Sequence, residues 1–160
     1  MILGDVSGKG IEAASMSALV KTALTAYAWE GAGPARMARS LNSMLMGFSR
    51  VETFVTAFIV KIDLKAGRAT YCSAGHPPTM VIRPESMPLG GGEARGGEVE
   101  LLGCQSGVIG AFESMVYETG VFTFAPGDML FMYTDGTIEA RDRTCLLYPS
   151  PSPRDRSLSR

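Results

Sequence analysis

One histidine, one tryptophan and three cysteines are spread through the chain, and each scarcity closes off a class of chemistry. The lone His76 excludes any site built from several imidazoles. Cys72, Cys104 and Cys145 are odd in number and show neither a CxxC pair nor Cys/His spacing, so neither a zinc site nor a disulfide framework is indicated. Free thiols fit a reducing, cytoplasmic setting. No apolar run approaches the about 18 residues of a membrane span, and no basic segment followed by an apolar one opens the chain. A dominant charge is missing too. Fifteen Lys and Arg against sixteen Asp and Glu give −1, which offers no basic field for nucleic acid and no excess that would favour disorder.

What remains is a chain of 160 residues, 46% apolar and 19% charged, which is one domain's worth of ordinary globular sequence. From Ile11 to Trp29, apolar residues recur at helical spacing (Met16, Leu19, Val20, Ala23, Leu24, Tyr27), with a small face of Ala14, Ser15, Ala18 and Thr22 suited to packing on a sheet. Gly31-Ala32-Gly33 ends that helix. Pro34 restarts one where its missing N–H costs nothing, with a stripe of Met37, Leu41, Met44, Leu45 and Phe48. A helical hairpin is expected.

The period then changes. Phe54 to Val60 is β-branched and aromatic, as in a strand covered on both faces, and Ala69 to Ser73 returns after a turn at Lys65-Ala66-Gly67. Ala74-Gly75-His76-Pro77-Pro78 breaks the pattern before a short strand at Thr79–Arg83. Residues 84–98 read as a Gly/Pro/Glu-rich loop, and Val99–Leu102 as a further short strand. Strands over Met115–Phe124 and Met129–Tyr133 are joined by the tight-turn sequence Ala125-Pro126-Gly127-Asp128. Helices first and antiparallel strands afterwards predict an α+β fold. From Cys145 the composition shifts to three prolines at alternate positions with no periodicity, which predicts an unfolded Pro/Ser/Arg tail over 145–160. That tail also resembles a translated transposase-type sequencing adapter, so the expected domain is 1–144, a fragment cut at both ends.

The chemistry centres on Gly4-Asp5-Val6-Ser7-Gly8-Lys9-Gly10, an apolar entry ending in one acid and a glycine-rich turn. A P-loop does not fit, because Lys9 falls where the second glycine is needed. A dinucleotide fingerprint of GxGxxA form does fit as Gly8-Lys9-Gly10-Ile11-Glu12-Ala13. A third reading makes Asp5 and Ser7 mere helix caps. Tyr133-Thr134-Asp135-Gly136 supplies a second acid at the end of an apolar strand; alone, its Asp-Gly suits a type I′ turn. Together, two such carboxylates suit a hard cation, Mg²⁺ or Mn²⁺.

These stretches, with Ala74-Gly75-His76-Pro77-Pro78, Pro126-Gly127-Asp128 and Glu139-Ala140, stand in the order and spacing of one family. The chain resembles the bacterial PPM-type (protein phosphatase 2C-like) serine/threonine phosphatases, in the branch of the stage II sporulation phosphatase E and the sigma-factor regulators. The resemblance implies an antiparallel β-sandwich flanked by helices in α-β-β-α layers, here incomplete. It implies hydrolysis of phosphoserine or phosphothreonine on a partner protein, an anti-sigma-factor antagonist, by metal-bound hydroxide. Asp5 would bridge two Mn²⁺ or Mg²⁺ ions, the Val6 backbone carbonyl would be a further ligand, and Asp135 would bind one ion. His76 is no ligand in the family and is read as a turn residue, while Lys9 is read as a solvated lysine at a helix start. Two further acidic motifs of the family fall outside this chain, so the fragment is expected to be nearly inactive. A catalytically dead interaction module of the same fold is the alternative from another class.

Overall fold

The computed structural model describes residues 1–48, 53–84 and 97–137. The expected tail and most of the 84–98 loop lie outside them. Strand β1 (Ile2–Val6) leads into helices α1 (Gly10–Trp29) and α2 (Pro34–Met46), followed by the hairpin β2 (Val55–Asp63) and β3 (Arg68–Ala74). Five short strands follow: β4 (Met80–Arg83), β5 (Glu98–Leu101), β6 (Gln105–Ser106), β7 (Gly120–Thr123) and β8 (Met129–Phe131). A single 3₁₀ turn at Asp135–Thr137 closes the described chain.

The helical hairpin forms as its sequence predicts. Gly31, with φ of 79°, ends α1 in a Schellman turn, where Ala32 N–H donates to the Tyr27 carbonyl at 3.1 Å and Gly31 N–H to that of Ala28 at 3.0 Å. Pro34 opens α2 one residue after Gly33. The faces of α1 are reversed from expectation, however. Val20 and Leu24 are buried, with Met16, Ala23 and Tyr27 packed against the same core, whereas Ala14, Ser15, Ala18 and Thr22 are exposed. Turning the larger side chains inward removes more apolar area from water, at ~25 cal/mol per Å². On α2, Met37, Leu41 and Leu45 are buried, while Phe48 lies past the helix end and is exposed.

The first sheet runs β1-β2-β3-β6, with β7 pairing the other end of β3 beside β6; the second runs β5-β4-β8. All pairings are antiparallel except β3 with β6. Alternate residues of β2 and β3 supply two cores. Val55, Ala57, Ile59, Cys72 and Ala74 meet the helices, while Phe58, Val60, Ala69 and Tyr71 meet Val81, Leu102 and Phe122 between the sheets. Phe58 stacks on Tyr71 at 5.3 Å between centroids, and Phe122 tilts against Tyr71 at 6.0 Å. The architecture is the predicted α+β sandwich, with one helical layer among the described residues.

One expected hairpin is absent. Ala125–Asp128 does turn tightly, with Asp128 N–H donating to the Ala125 carbonyl at 3.1 Å and the Asp128 carboxylate accepting from Ala125 N–H at 2.9 Å. Yet β7 pairs with β3 in the first sheet, and β8 with β4 in the second. The turn steps between layers instead of joining neighbours. Met115–Glu118 is not strand either, because Tyr117 is drawn into the core.

Candidate metal centre

Register places the two acids at one end of the sandwich. Gly4, Ala57 and Ala74 form a row across β1, β2 and β3, and Asp5, one residue further, stands opposite Thr56. Opposite residues of an antiparallel pair share a face. Leu3 opposite Phe58, and hence Asp5 opposite Thr56, point to the side on which the second sheet lies. At this same end, Gly75–Thr79 carries the chain from β3 to β4, and β4 begins with Met80 opposite Phe131, the last residue of β8. Tyr133 and Thr134 then lead to Asp135, which opens the 3₁₀ turn where Thr137 N–H donates to the Thr134 carbonyl at 3.0 Å.

His76 lies on the crossover at this end. Burial lowers its ring below the ordinary imidazole range, while the neighbouring Tyr133 backbone and the carboxylates of Asp135 and Asp5 draw it partly back. The lone histidine is a turn residue, as read from the sequence, but a buried one at 3% exposure.

The helix-cap reading of the opening motif does not hold. Lys9 is the N-cap residue, in extended backbone, and no side chain caps α1. Among the described residues the Asp5 carboxylate accepts only from its neighbour Val6 N–H, at 3.0 Å, and it remains exposed. Ser7 instead extends the β1–β2 ladder. Its N–H donates to the Phe54 carbonyl and its Oγ accepts from Phe54 N–H, both at 2.9 Å. Gly8 and Gly10, with φ of 108° and 81°, turn the chain into the helix in a conformation few other residues adopt. The dinucleotide reading loses its frame as well, since α1 is followed by α2 and β1 pairs antiparallel with β2.

Asp5, Asp135 and the Val6 carbonyl are oxygen donors of the kind Mg²⁺ and Mn²⁺ prefer, and both carboxylates are accessible. Among the described residues no three His, Cys, Asp or Glu side chains gather closely enough to hold a metal ion by themselves. Cys72 is no candidate donor, since burial pushes its thiol up to about 11.

Sequence reasoning missed Asn42. This α2 residue is 3% exposed, and its amide donates to the Phe112 carbonyl at 3.0 Å and accepts from Gly110 N–H at 2.7 Å and Tyr117 O–H at 3.1 Å. The Tyr117 hydroxyl also lies 3.1 Å from the Val108 carbonyl. Val108 in turn sits against Gly75, where a Cβ would come within 2.4 Å of the valine Cγ1. Ile109 bridges Val55 through two 2.8 Å hydrogen bonds. Asn42 thus holds a loop wedged beneath the turn that carries His76. Its one signal was a polar residue inside the apolar stripe of α2.

A model of the stage II sporulation protein E family matches residues 1–152. The chain belongs to that family. It is 27% identical over 139 residues to phosphoserine phosphatase RsbU of Bacillus subtilis, covering 87% of this chain and 38% of RsbU. With phosphoserine phosphatase RsbP of the same organism it shares 25% over 152 residues, covering 92% of this chain and 35% of RsbP. The crystal structure of RsbX in complex with magnesium superposes with a TM-score of 0.65 over 84% of this chain and 59% of RsbX, at 24% identity, and shows the common fold. This family member thus spans little more than a third of the length of its two curated relatives.

Proposed function

We propose that the complete protein is a metal-dependent phosphatase acting on phosphoserine or phosphothreonine of a partner protein, an anti-sigma-factor antagonist. What supports this reading is that Asp5, on β1 of the first sheet, and Asp135, in the turn after β8 of the second, both lie toward the end of the sandwich where the crossover carries His76. The phosphoserine phosphatases RsbU and RsbP, and the magnesium in the RsbX crystal, support it. Asp5, the Val6 carbonyl and Asp135 are the residues that would hold the ions, Mn²⁺ or Mg²⁺, two in the complete domain. Bound there, such cations lower the pKa of water and neutralise charge on a phosphoryl group.

The chain's own part is to present hard oxygen donors, Asp5 and the Val6 carbonyl on strand β1, which is more rigid than a loop tip, and Asp135 on the 3₁₀ turn after β8. Gly4 keeps β1 close to β2, because a Cβ there would stand 2.7 Å from the Thr56 carbonyl. Asp5 is thereby fixed opposite Thr56. With two carboxylates assigned to the proposed centre, Asp5 and Asp135, the chain alone should bind metal weakly and turn over little. The test is Mn²⁺-dependent phosphate release from a phosphoserine protein by the full-length parent. Asp5→Asn and Asp135→Asn should each cost more than the ~10–100-fold typical of losing an outer-shell partner. An Asp5→Asn enzyme with unchanged rate would remove Asp5 from the centre and favour an interaction module of the same fold.

A further inference from the structure

Four of the chain's seven phenylalanines are exposed, and three of the four stand at the end of the first sheet that carries Asp5. Phe48, Phe54 and Phe112 are 46%, 43% and 62% exposed. One contact gathers them. Gly110 packs so closely on α2 and the start of β2 that a Cβ on it would lie 3.1 Å from both Leu45 Cδ1 and the Thr53 carbonyl. Phe54 follows Thr53, Phe112 lies two residues past Gly110, and Phe48 N–H donates to the Leu45 carbonyl at 3.0 Å. Large apolar groups exposed together mark an interaction surface, whereas single ones do not.

Phe54 is tied to the candidate centre by register. Past Asp5 opposite Thr56, the β1–β2 ladder continues to Ser7, whose N–H donates to and whose Oγ accepts from the Phe54 backbone, both at 2.9 Å. Val55 is buried against the helices, so strand alternation turns Phe54 to the opposite side, that of Thr56 and Asp5. Phe54 thus stands two residues, roughly 7 Å, beyond Thr56 along that face. Ser7 flanks it on one side, and the bridge between Val55 and Ile109 sets Gly110 on the other, so neither neighbour has a side chain large enough to cover the ring. Both rings nearest the site sit on held backbone. Ser7 fixes Phe54, and the Phe112 carbonyl accepts from the Asn42 amide at 3.0 Å. Anchors fixed before contact lose little freedom on binding.

We propose that Phe54 and Phe112, with Phe48 at their margin, form the surface on which a partner protein docks the stretch flanking its phosphoserine. The proposal deepens the phosphatase reading above and rests on it for the phosphate. The occupant is an extended segment with a large apolar side chain two residues from the phosphoserine. Two residues of extended chain span roughly 7 Å, the same step that separates Thr56 from Phe54. A phosphate held beside Asp5 therefore brings that side chain to Phe54, and residues further out to Phe112. Hard oxygen donors and a cation recognise the phosphoryl group, so discrimination between phosphoproteins falls to this apolar rim.

The test uses two synthetic phosphoserine peptides of equal length and charge, with Leu or Ser two residues to either side of the phosphoserine. With Mn²⁺ and the full-length parent, kcat/KM for the Leu peptide should exceed that for the Ser peptide about tenfold, through KM. Phe54→Ser should bring that ratio down to about 1–2, Phe112→Ser should lower it less, and Phe54→Leu should keep most of it. Leu64→Ser, 81% exposed at the β2–β3 turn, should leave the ratio as it was. Equal kcat/KM for the two peptides in the parent, or a ratio untouched by Phe54→Ser and Phe112→Ser, would overturn the docking surface and leave the phosphatase reading standing. The comparison of peptides on the parent decides even where a variant does not fold. Should the parent release no phosphate from either peptide, the phosphatase reading falls, and fluorescence anisotropy of the unphosphorylated Leu peptide on the metal-free 160-residue chain decides. Binding tighter than about 1 mM that Phe54→Ser abolishes supports the surface, and no binding overturns it. Self-association of the chain in sedimentation that Phe112→Ser dissolves would assign the patch to a second copy and overturn the proposal too.

Discussion

The two outward faces of the sandwich are both apolar, and only one is covered. On the first sheet Val55, Ala57, Ile59, Cys72 and Ala74 are each at most 2% exposed beneath α1 and α2. On the second sheet Met80 and Ile82 of β4 stand opposite Leu101 and Val99 of β5, and opposite Phe131 and Met129 of β8. The outer four of these six are 46% to 62% exposed. Among the described residues nothing lies over them. The covered face carries small and medium side chains, because a helix must approach closely. The bare one carries larger side chains, which are no less hydrophobic. Hydrophobicity marks a face as one that wants a cover, and tertiary packing decides whether the cover is there. The proposed centre straddles this divide, with Asp5 on the covered sheet and Asp135 following the bare one.

Substitutions on the two sides should differ in proportion. Leu41→Ala, beneath the helical layer at 0% exposure, should have the largest effect, about 2–5 kcal/mol in chemical denaturation. A loss below 1 kcal/mol would mean that α2 packs loosely in solution. Asn42→Ala comes next, at about 1–3 kcal/mol, because it strands Gly110 N–H and the Phe112 carbonyl at a buried site. Tyr117→Phe removes a hydroxyl from the same cluster and should cost ~1 kcal/mol. The mildest change should be Leu101→Thr on the bare face, within ~0.5 kcal/mol of the parent chain. If it costs as much as Leu41→Ala, that face is buried in solution and the contrast fails. Concentration-dependent melting would then show whether a second copy covers it.

Much of the first half was legible because its signals are local. The helical stripe of α2, the Gly31 stop and Pro34 start, the β2–β3 hairpin and the glycine-rich turn before α1 are each written within a few neighbouring residues. The β7–β8 step was not. Ala125-Pro126-Gly127-Asp128 satisfies its own backbone equally well in a hairpin or between layers, and nothing nearby says which sheet each strand joins. Asn42 was hidden for a related reason. Its partners Phe112, Gly110 and Tyr117 lie 70, 68 and 75 residues away, so no window around it could show them. Met115–Glu118 likewise looked like strand until Tyr117 found Asn42.

The sequence by itself determined the family, the α+β class and the helical hairpin, since each is carried by residue order and short-range periodicity. Tertiary structure alone decided which face of α1 is buried, which strands share a sheet and which apolar face is bare. It also decided that His76 is buried. The reason is physical. Turns and helices are closed by hydrogen bonds a few residues apart, whereas layers and sites are closed by burial between segments that meet only when the whole chain has folded.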